Sequence, residues 1–224
     1  MKRWEITAMA AFSIALVGGA WLRLLPLDLT EVFGFVTGVV CVWLTVREQI
    51  WNWPIGLVNS AFYVALFLRA RLFADMGLQV IYIVLGVLGW YWWLRGGAQR
   101  RALRLGHASG TTWLVLGALV AAGTAGLTLF LRSVGDVAPF LDALTTALSL
   151  AAQYLLTRKA LENWYVWIAA DIIYIGLYFA KGLPLTAVLY VLLLTLCLAG
   201  LRQWRQALAQ RPMAAPAIGR EAVL

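Results

Sequence analysis

Long apolar runs, separated by short polar or basic breaks, follow one another along this chain as far as about residue 205. A membrane-spanning helix needs roughly 20 mainly apolar residues. The pattern therefore predicts an all-α integral membrane protein with eight transmembrane helices, at about 5–25, 31–46, 52–69, 73–95, 110–131, 137–157, 163–180 and 183–203. The first run is preceded by Lys2 and Arg3 and followed loosely by Gly18-Gly19-Ala20, as a signal peptide would be. Its length, and Arg23 just beyond it, favour a retained helix.

In the seventh run the pattern changes. From Asn163 to Tyr178 (NWYVWIAADIIYIGLY) an asparagine, an acid and a file of aromatics interrupt the apolar sequence. At about 100° per residue, Trp164, Trp167, Asp171, Tyr174 and Tyr178 share one helix face, aromatic with a single carboxylate in it.

That stripe has a counterpart. Sliding the chain by 111 residues places Asn52-Trp53 on Asn163-Trp164, Arg47 on Arg158, Tyr63 on Tyr174, Gly89 on Gly200 and Trp93 on Trp204, without a gap. Leu matches in apolar helices are cheap, but matches at Asn, Trp, Arg and Tyr are not. Spans two to four thus read as one three-helix repeat and spans six to eight as its copy, with span five as connector helix. An odd number of spans between the copies makes the repeat parallel. The expected organisation is an extra N-terminal span (1–28), the first repeat (29–95), a basic loop with the connector (96–135), the second repeat (136–206) and a tail (207–224).

Composition agrees with the membrane reading. Of 224 residues 63% are apolar and 12% charged, against about 25% charged in soluble domains, and mean hydropathy is +0.83. The net charge of +8 does not point to nucleic acid, because Lys and Arg sit between the apolar runs. Thirteen lie on the side of both termini and five on the other, which predicts a cytoplasmic C-terminus. Cys41 and Cys197 both fall inside apolar runs, so neither a disulfide framework nor a metal site is expected. His107, in the basic connector, reads as a solvated loop residue.

The candidate chemistry lies on matched stripes. In the first copy Trp53, Gly56, Ser60, Tyr63 and Phe67 take the places of Trp164, Trp167, Asp171, Tyr174 and Tyr178, with Asn59 beside Ser60. On the third helices Gln79, Tyr82, Gly86, Gly89 and Trp93 correspond to Tyr190, Leu193, Cys197, Gly200 and Trp204. Span six adds a polar face of Asp142, Thr145, Thr146, Ser149 and Gln153, where the first copy has the blander Glu31, Gly34, Phe35, Gly38 and Val42. A carboxylate in hydrocarbon costs at least roughly 2.5 kcal/mol, so Asp171 is expected to face the interior or a wet cavity. Asn59, Gln79 and Gln153 read equally as substrate contacts or as bonds between helices. Trp43, Trp51, Trp90, Trp92, Trp113 and Trp204, at span ends, read as interfacial anchors. A cavity with aromatic faces, one carboxylate and several carboxamides suits a flat, polar, cationic small molecule. No metal-ligand spacing, nucleophile elbow or phosphate-cradling glycine loop argues for an enzyme, and no cofactor is implied. A non-transporting membrane subunit is the alternative from another class.

Trp164-x-x-Trp167-x-x-x-Asp171, the segment Trp53-Pro-Ile-Gly-Leu-Val-Asn59, and Gln79 with Tyr82 resemble the nicotinamide riboside transporters of the PnuC family over about 30–205. The resemblance implies a bacterial inner-membrane protein with a three-one-three arrangement of helices, similar to a duplicated SWEET half-transporter. It also implies facilitated diffusion of nicotinamide riboside without a coupling ion, drawn forward by a cytoplasmic kinase, and a homotrimer within membrane lipids. The substrate site it implies lies between the repeats, at Trp164, Trp167 and Asp171, with Asn59, Gln79 and Tyr82 beside them. Trp53 and Tyr174 join this set through the repeat. Related transporters take thiamine or riboflavin, and thiamine, also a flat cation, is the alternative substrate.

Overall fold

The computed structural model describes residues 29–69, 73–97, 100–182 and 184–210, with three single positions nearer the N-terminus. The first expected span, 5–25, and the end of the tail lie outside the described residues. Within them every regular element is a helix: α1 Leu29–Val46, α2 Asn52–Arg69, α3 Phe73–Arg95, α4 Gly110–Ser133, α5 Pro139–Thr157, α6 Asn163–Ala180 and α7 Pro184–Ala209.

These helices stand where the apolar runs place them, because in lipid each segment must satisfy its own backbone hydrogen bonds. Local signals set several ends. Ser109 caps α4, accepting from the Thr112 amide at 3.1 Å, and Pro139 opens α5 where no helical N–H is needed. One boundary departs from expectation: α7 continues to Ala209, not to about 203. Its last turns are amphipathic, burying Trp204 while exposing Arg202 and Arg205, so the helix outlasts the apolar run.

The chain is thus a helical membrane protein. Among the described residues, four helices are long and apolar enough to cross a membrane, over Met76–Arg95, Gly110–Ser133, Pro139–Thr157 and Thr186–Ala209.

Six helices close a ring. α1 packs on α2, α2 on α3, α3 on α5, α5 on α6, α6 on α7, and α7 returns to α1. α4 stands outside the ring against α5, with Leu114, Leu119 and Leu129 pointing away. One end of the ring carries the loops 47–51 and 158–162, the segments 96–97 and 100–109 and the end of α7, with most of the described Lys and Arg; it is called the basic end here.

The connector segment at the basic end is ordered rather than merely solvated. Leu105 is buried, and Gly106 pairs with Ala160 through a parallel bridge, donating to Lys159 O at 3.2 Å and accepting from the Leu161 amide at 2.9 Å. Glu162 holds the approach to α4 with both oxygens, one on His107 Nδ1 at 2.8 Å and one on the Ala108 amide at 2.9 Å. His107 is exposed, as expected, but its acid partner comes from 55 residues away.

Candidate binding cavity

The two stripe helices begin alike. Each follows a turn whose residue in left-handed conformation, Glu48 (φ 52°) or Lys159 (φ 53°), ends the preceding helix. Each opens with a buried asparagine: Asn52 Nδ2 donates to Thr45 Oγ1 at 3.2 Å, and Asn163 Nδ2 to Ala160 O at 2.6 Å. The tryptophan that follows lies flat against a glycine of the next helix. A Cβ at Gly89 would come within 2.2 Å of the Trp53 ring, and one at Gly200 within 2.5 Å of the Trp164 ring. Each indole then meets a second edge-on, Trp53 with Trp93 at 5.4 Å and Trp164 with Trp204 at 5.3 Å between centroids.

Trp204 is therefore not an interfacial anchor. It is fully buried, whereas Trp51 is 64% exposed, and its indole N–H donates to Val46 O at 3.3 Å. Trp51, Trp90 and Trp113 are exposed, as anchors must be.

The ring encloses a cavity of about 710 Å³, within the range of small-molecule sites. All eight residues singled out from the sequence border it: Trp53, Asn59, Gln79 and Tyr82 from α2 and α3, and Trp164, Trp167, Asp171 and Tyr174 from α6. Their situations differ. Trp53 and Trp164 are packed into the indole cluster and form the floor at the basic end, while Trp167 is only partly buried one turn above. Asn59 is engaged between helices, its Nδ2 donating to Thr37 Oγ1 at 2.6 Å on α1. Tyr82 and Ser149 both border the cavity, from the adjacent helices α3 and α5.

Asp171 is 3% exposed, and its Oδ2 accepts from the Cys197 thiol at 3.4 Å. A thiol is a weak donor and leaves most of the carboxylate's lone pairs for other partners. Beyond it Tyr174 stacks on Tyr190 with centroids 4.5 Å apart, and Tyr178 continues the stack at 5.3 Å from Tyr190. The polar face of α5 completes the wall with Thr145, Thr146, Ser149 and Gln153. Asp142, at the far end of that face, is paired with Lys181 at 2.7 Å.

Tyr190 and Cys197 belong to this site, although the sequence singled them out only as the α7 face that matches α3. The signal was their spacing with Trp204; what it lacked was the direction in which that face points. The charge of the lining is one-sided. Asp136, Asp142 and Asp171 border the cavity, and no lysine, arginine or histidine does among the described residues. Nor do the described residues bring three His, Cys, Asp or Glu together as a metal site.

Known proteins resemble this chain in sequence and in fold. The family profile described as nicotinamide mononucleotide transporter matches residues 28–206. The nicotinamide riboside transporter PnuC of Escherichia coli (strain K12) is 27% identical over 208 residues, covering 81% of this chain and 87% of that protein. The riboflavin/roseoflavin transporter RibM of Streptomyces davaonensis is 27% identical over 180 residues, covering 78% and 84%. A crystal structure of the vitamin B3 transporter PnuC superposes with a TM-score of 0.69 at 23% identity, covering 95% of this chain and 94% of that one.

Proposed function

Because the chain belongs to the nicotinamide mononucleotide transporter family, we propose that it carries nicotinamide riboside across a bacterial cytoplasmic membrane by facilitated diffusion. The observation that carries this reading is Asp171: a buried carboxylate whose partner among the described residues is a thiol, in an aromatic cavity that no cationic side chain of the described residues borders. A buried charge of that kind costs free energy unless a partner arrives. A flat pyridinium supplies the partner, and Trp167 and Tyr174 offer it π-faces worth about 0.5–2 kcal/mol each. A mononucleotide would bring a phosphate of charge about −2 among carboxylates. The same cavity thus favours the riboside over the phosphorylated compound in the family's name.

In this reading Asp171 faces the positive ring or accepts from the ribose hydroxyls, Gln79 and Tyr82 reach the polar groups of the substrate, and Asn59, Trp53 and Trp164 hold the walls and floor. The helices form two parallel repeats, α1–α3 and α5–α7, joined by α4 and preceded by a further span, eight in all, within the limits 1–28, 29–95, 96–135, 136–206 and 207–224. The matched Trp–Gly–Trp joints support this layout, and the distribution of Lys and Arg supports a cytoplasmic basic end and C-terminus. Uptake is drawn forward by a cytoplasmic kinase that traps the vitamin, and three copies assemble in the membrane.

Purified protein in liposomes is expected to equilibrate labelled nicotinamide riboside without any dependence on sodium or proton gradients. Accumulation above the external concentration, with no trapping enzyme present, would sink the facilitator reading. Thiamine is the second candidate, since the cavity selects for charge and flatness as much as for a carboxamide. Competition between the two vitamins decides between them.

A further inference from the structure

The cavity is not equally open at its two ends. Lining residues far from the basic end, such as Phe67, Leu131, Asp136 and Asp142, are partly exposed. At the basic end Thr45, Asn52, Trp53, Leu156 and Trp164 are all buried. Below that floor lies a cluster of four indoles, Trp53, Trp93, Trp164 and Trp204, closed by Val46, Leu105 and Leu161.

Several contacts in this plug join α1–α3 to α5–α7. Trp93 Nε1 donates to Leu156 O at 3.0 Å, in the last turn of α5, and Trp204 Nε1 donates to Val46 O, at the last residue of α1. Each group thus sends an indole N–H to a helix-end carbonyl of the other, where Leu156 O also accepts from the Lys159 amide at 2.9 Å. Trp93 and Trp204 also touch each other, with centroids 6.3 Å apart. Beside them Glu48 Oε2 and Lys159 Nζ form an ion pair of 2.9 Å, and the ammonium lies 4.5 Å from the centre of the Trp93 ring. Glu48 and Lys159 are 111 residues apart, as are Trp93 and Trp204. Both are pairs of corresponding positions that meet each other.

We infer that Glu48, Lys159, Trp93 and Trp204 form the gate at the basic end, closed in this conformation, and that a substrate leaves by that end only when this set parts. The inference rests on the transport reading above but not on the identity of the substrate. The physical reason lies in what the gate is made of. Packed apolar side chains alone would expose their surface on opening with nothing in return. Helix-end carbonyls, indole N–H groups and an ion pair can each exchange their partner for water, so the seal can break without leaving orphaned polar groups. The long side chains of Glu48 and Lys159 lie near the rim, where water can reach them first.

A reporter thiol decides the matter without any ligand. Thr146→Cys puts it on the cavity wall, and the parent protein with Cys41 and Cys197 gives the background. A membrane-impermeant maleimide is applied to right-side-out and inside-out vesicles. The thiol is expected to react several-fold faster from the face opposite the basic end. Lys159→Glu, which sets two carboxylates against each other, is expected to raise the rate from the basic-end face by about tenfold, and the swap Glu48→Lys/Lys159→Glu to return it. Trp204→Phe, which keeps a ring and removes the N–H, serves should the charge reversal not fold, and is expected to shift the ratio the same way. Equal labelling from both faces in the native background, or a ratio that neither variant moves, would overturn the gate. A protein that passes this test yet carries no nicotinamide riboside would lose its proposed substrate and keep its gate.

Discussion

The two halves of the ring share one joint and differ in the wall they present. In α1–α3 and in α5–α7 alike, a tryptophan at the start of the middle helix lies on a glycine and against a second indole, at 5.4 and 5.3 Å with the same 85° between planes. Further into the cavity Tyr63 and Tyr174 still match, but most of the lining differs. The first half offers Gly56, Ser60, Gly86 and Gln79; the second offers Trp167, Asp171, Cys197 and Tyr190 at the corresponding positions. What is common holds helices together, and what differs gives the cavity two unlike sides. A flat molecule with a charged ring at one end and hydroxyls at the other needs such a cavity, because equal walls would accept it in two orientations.

The sharpest break of that comparison is at Asp171. Asp171→Asn removes the one buried charge of the second wall and is expected to weaken riboside binding about tenfold to a hundredfold, the range of a charge-assisted hydrogen bond. Melting temperature should hold or rise, because the carboxylate is costly to bury. Ser60→Ala, its counterpart, should leave affinity within about twofold, as a lost neutral contact of a few tenths of a kcal/mol would; calorimetric titration of both variants checks the contrast.

The joint should behave in the opposite way, with equal effects in both halves. Gly89→Ala and Gly200→Ala each drive a methyl into an indole ring and are expected to destabilise by about 1–3 kcal/mol. Thermal unfolding in detergent should place the two close together; a large loss in one half only would mean the joints are not equivalent.

Trp167→Leu keeps an apolar side chain and removes the π-face. A cation–π contribution of about 0.5–2 kcal/mol corresponds to a loss of roughly twofold to thirtyfold in affinity for the cationic riboside. A neutral dihydropyridine analogue should lose less, and equal losses for the two compounds would assign Trp167 to packing.

The smallest effect concerns the connector. Glu162 holds His107 and the Ala108 amide, and the corresponding position of the first half is Trp51, which has no acid to offer. Glu162→Gln should cost about 0.2–1 kcal/mol, as exposed pairs do, and leave binding unchanged. A thermal-shift series with the double variant His107→Ala/Glu162→Gln would show whether the two act as one unit.

Most of the helices were legible in the chain. The apolar runs placed α2, α3 and α6 at the very residues where they stand, because a lipid-facing helix must be apolar along its whole buried length. The stripe through Trp164, Trp167 and Asp171, and its match through Trp53 and Asn59, were legible too, since polar residues are rare enough in such helices for their spacing to carry information. Less legible was the role of Trp204. Its place near a span end reads as a membrane interface, yet it sits in the interior beside Trp93. Inside a membrane protein both the lipid and the neighbouring helix are apolar, so hydrophobicity does not tell an anchor from a core residue. The bond of Cys197 to Asp171 and the pair of Glu48 with Lys159 were hidden for another reason: each joins residues of different elements across a distance that no local period spans.

The sequence by itself determined where the described helices lie, which faces of α2 and α6 carry polar chemistry, and that these faces are matched at a fixed spacing. Hydrophobic length and helical periodicity are local properties, and they suffice for that. Only the tertiary structure decided that six helices close a ring, that the two stripes face one another across one cavity, and that the cavity is sealed by indoles at the basic end. Those outcomes depend on which helix packs beside which, and with apolar surfaces on every side that choice is made by small residues such as Gly89 and Gly200, by helix-end carbonyls and by single ion pairs.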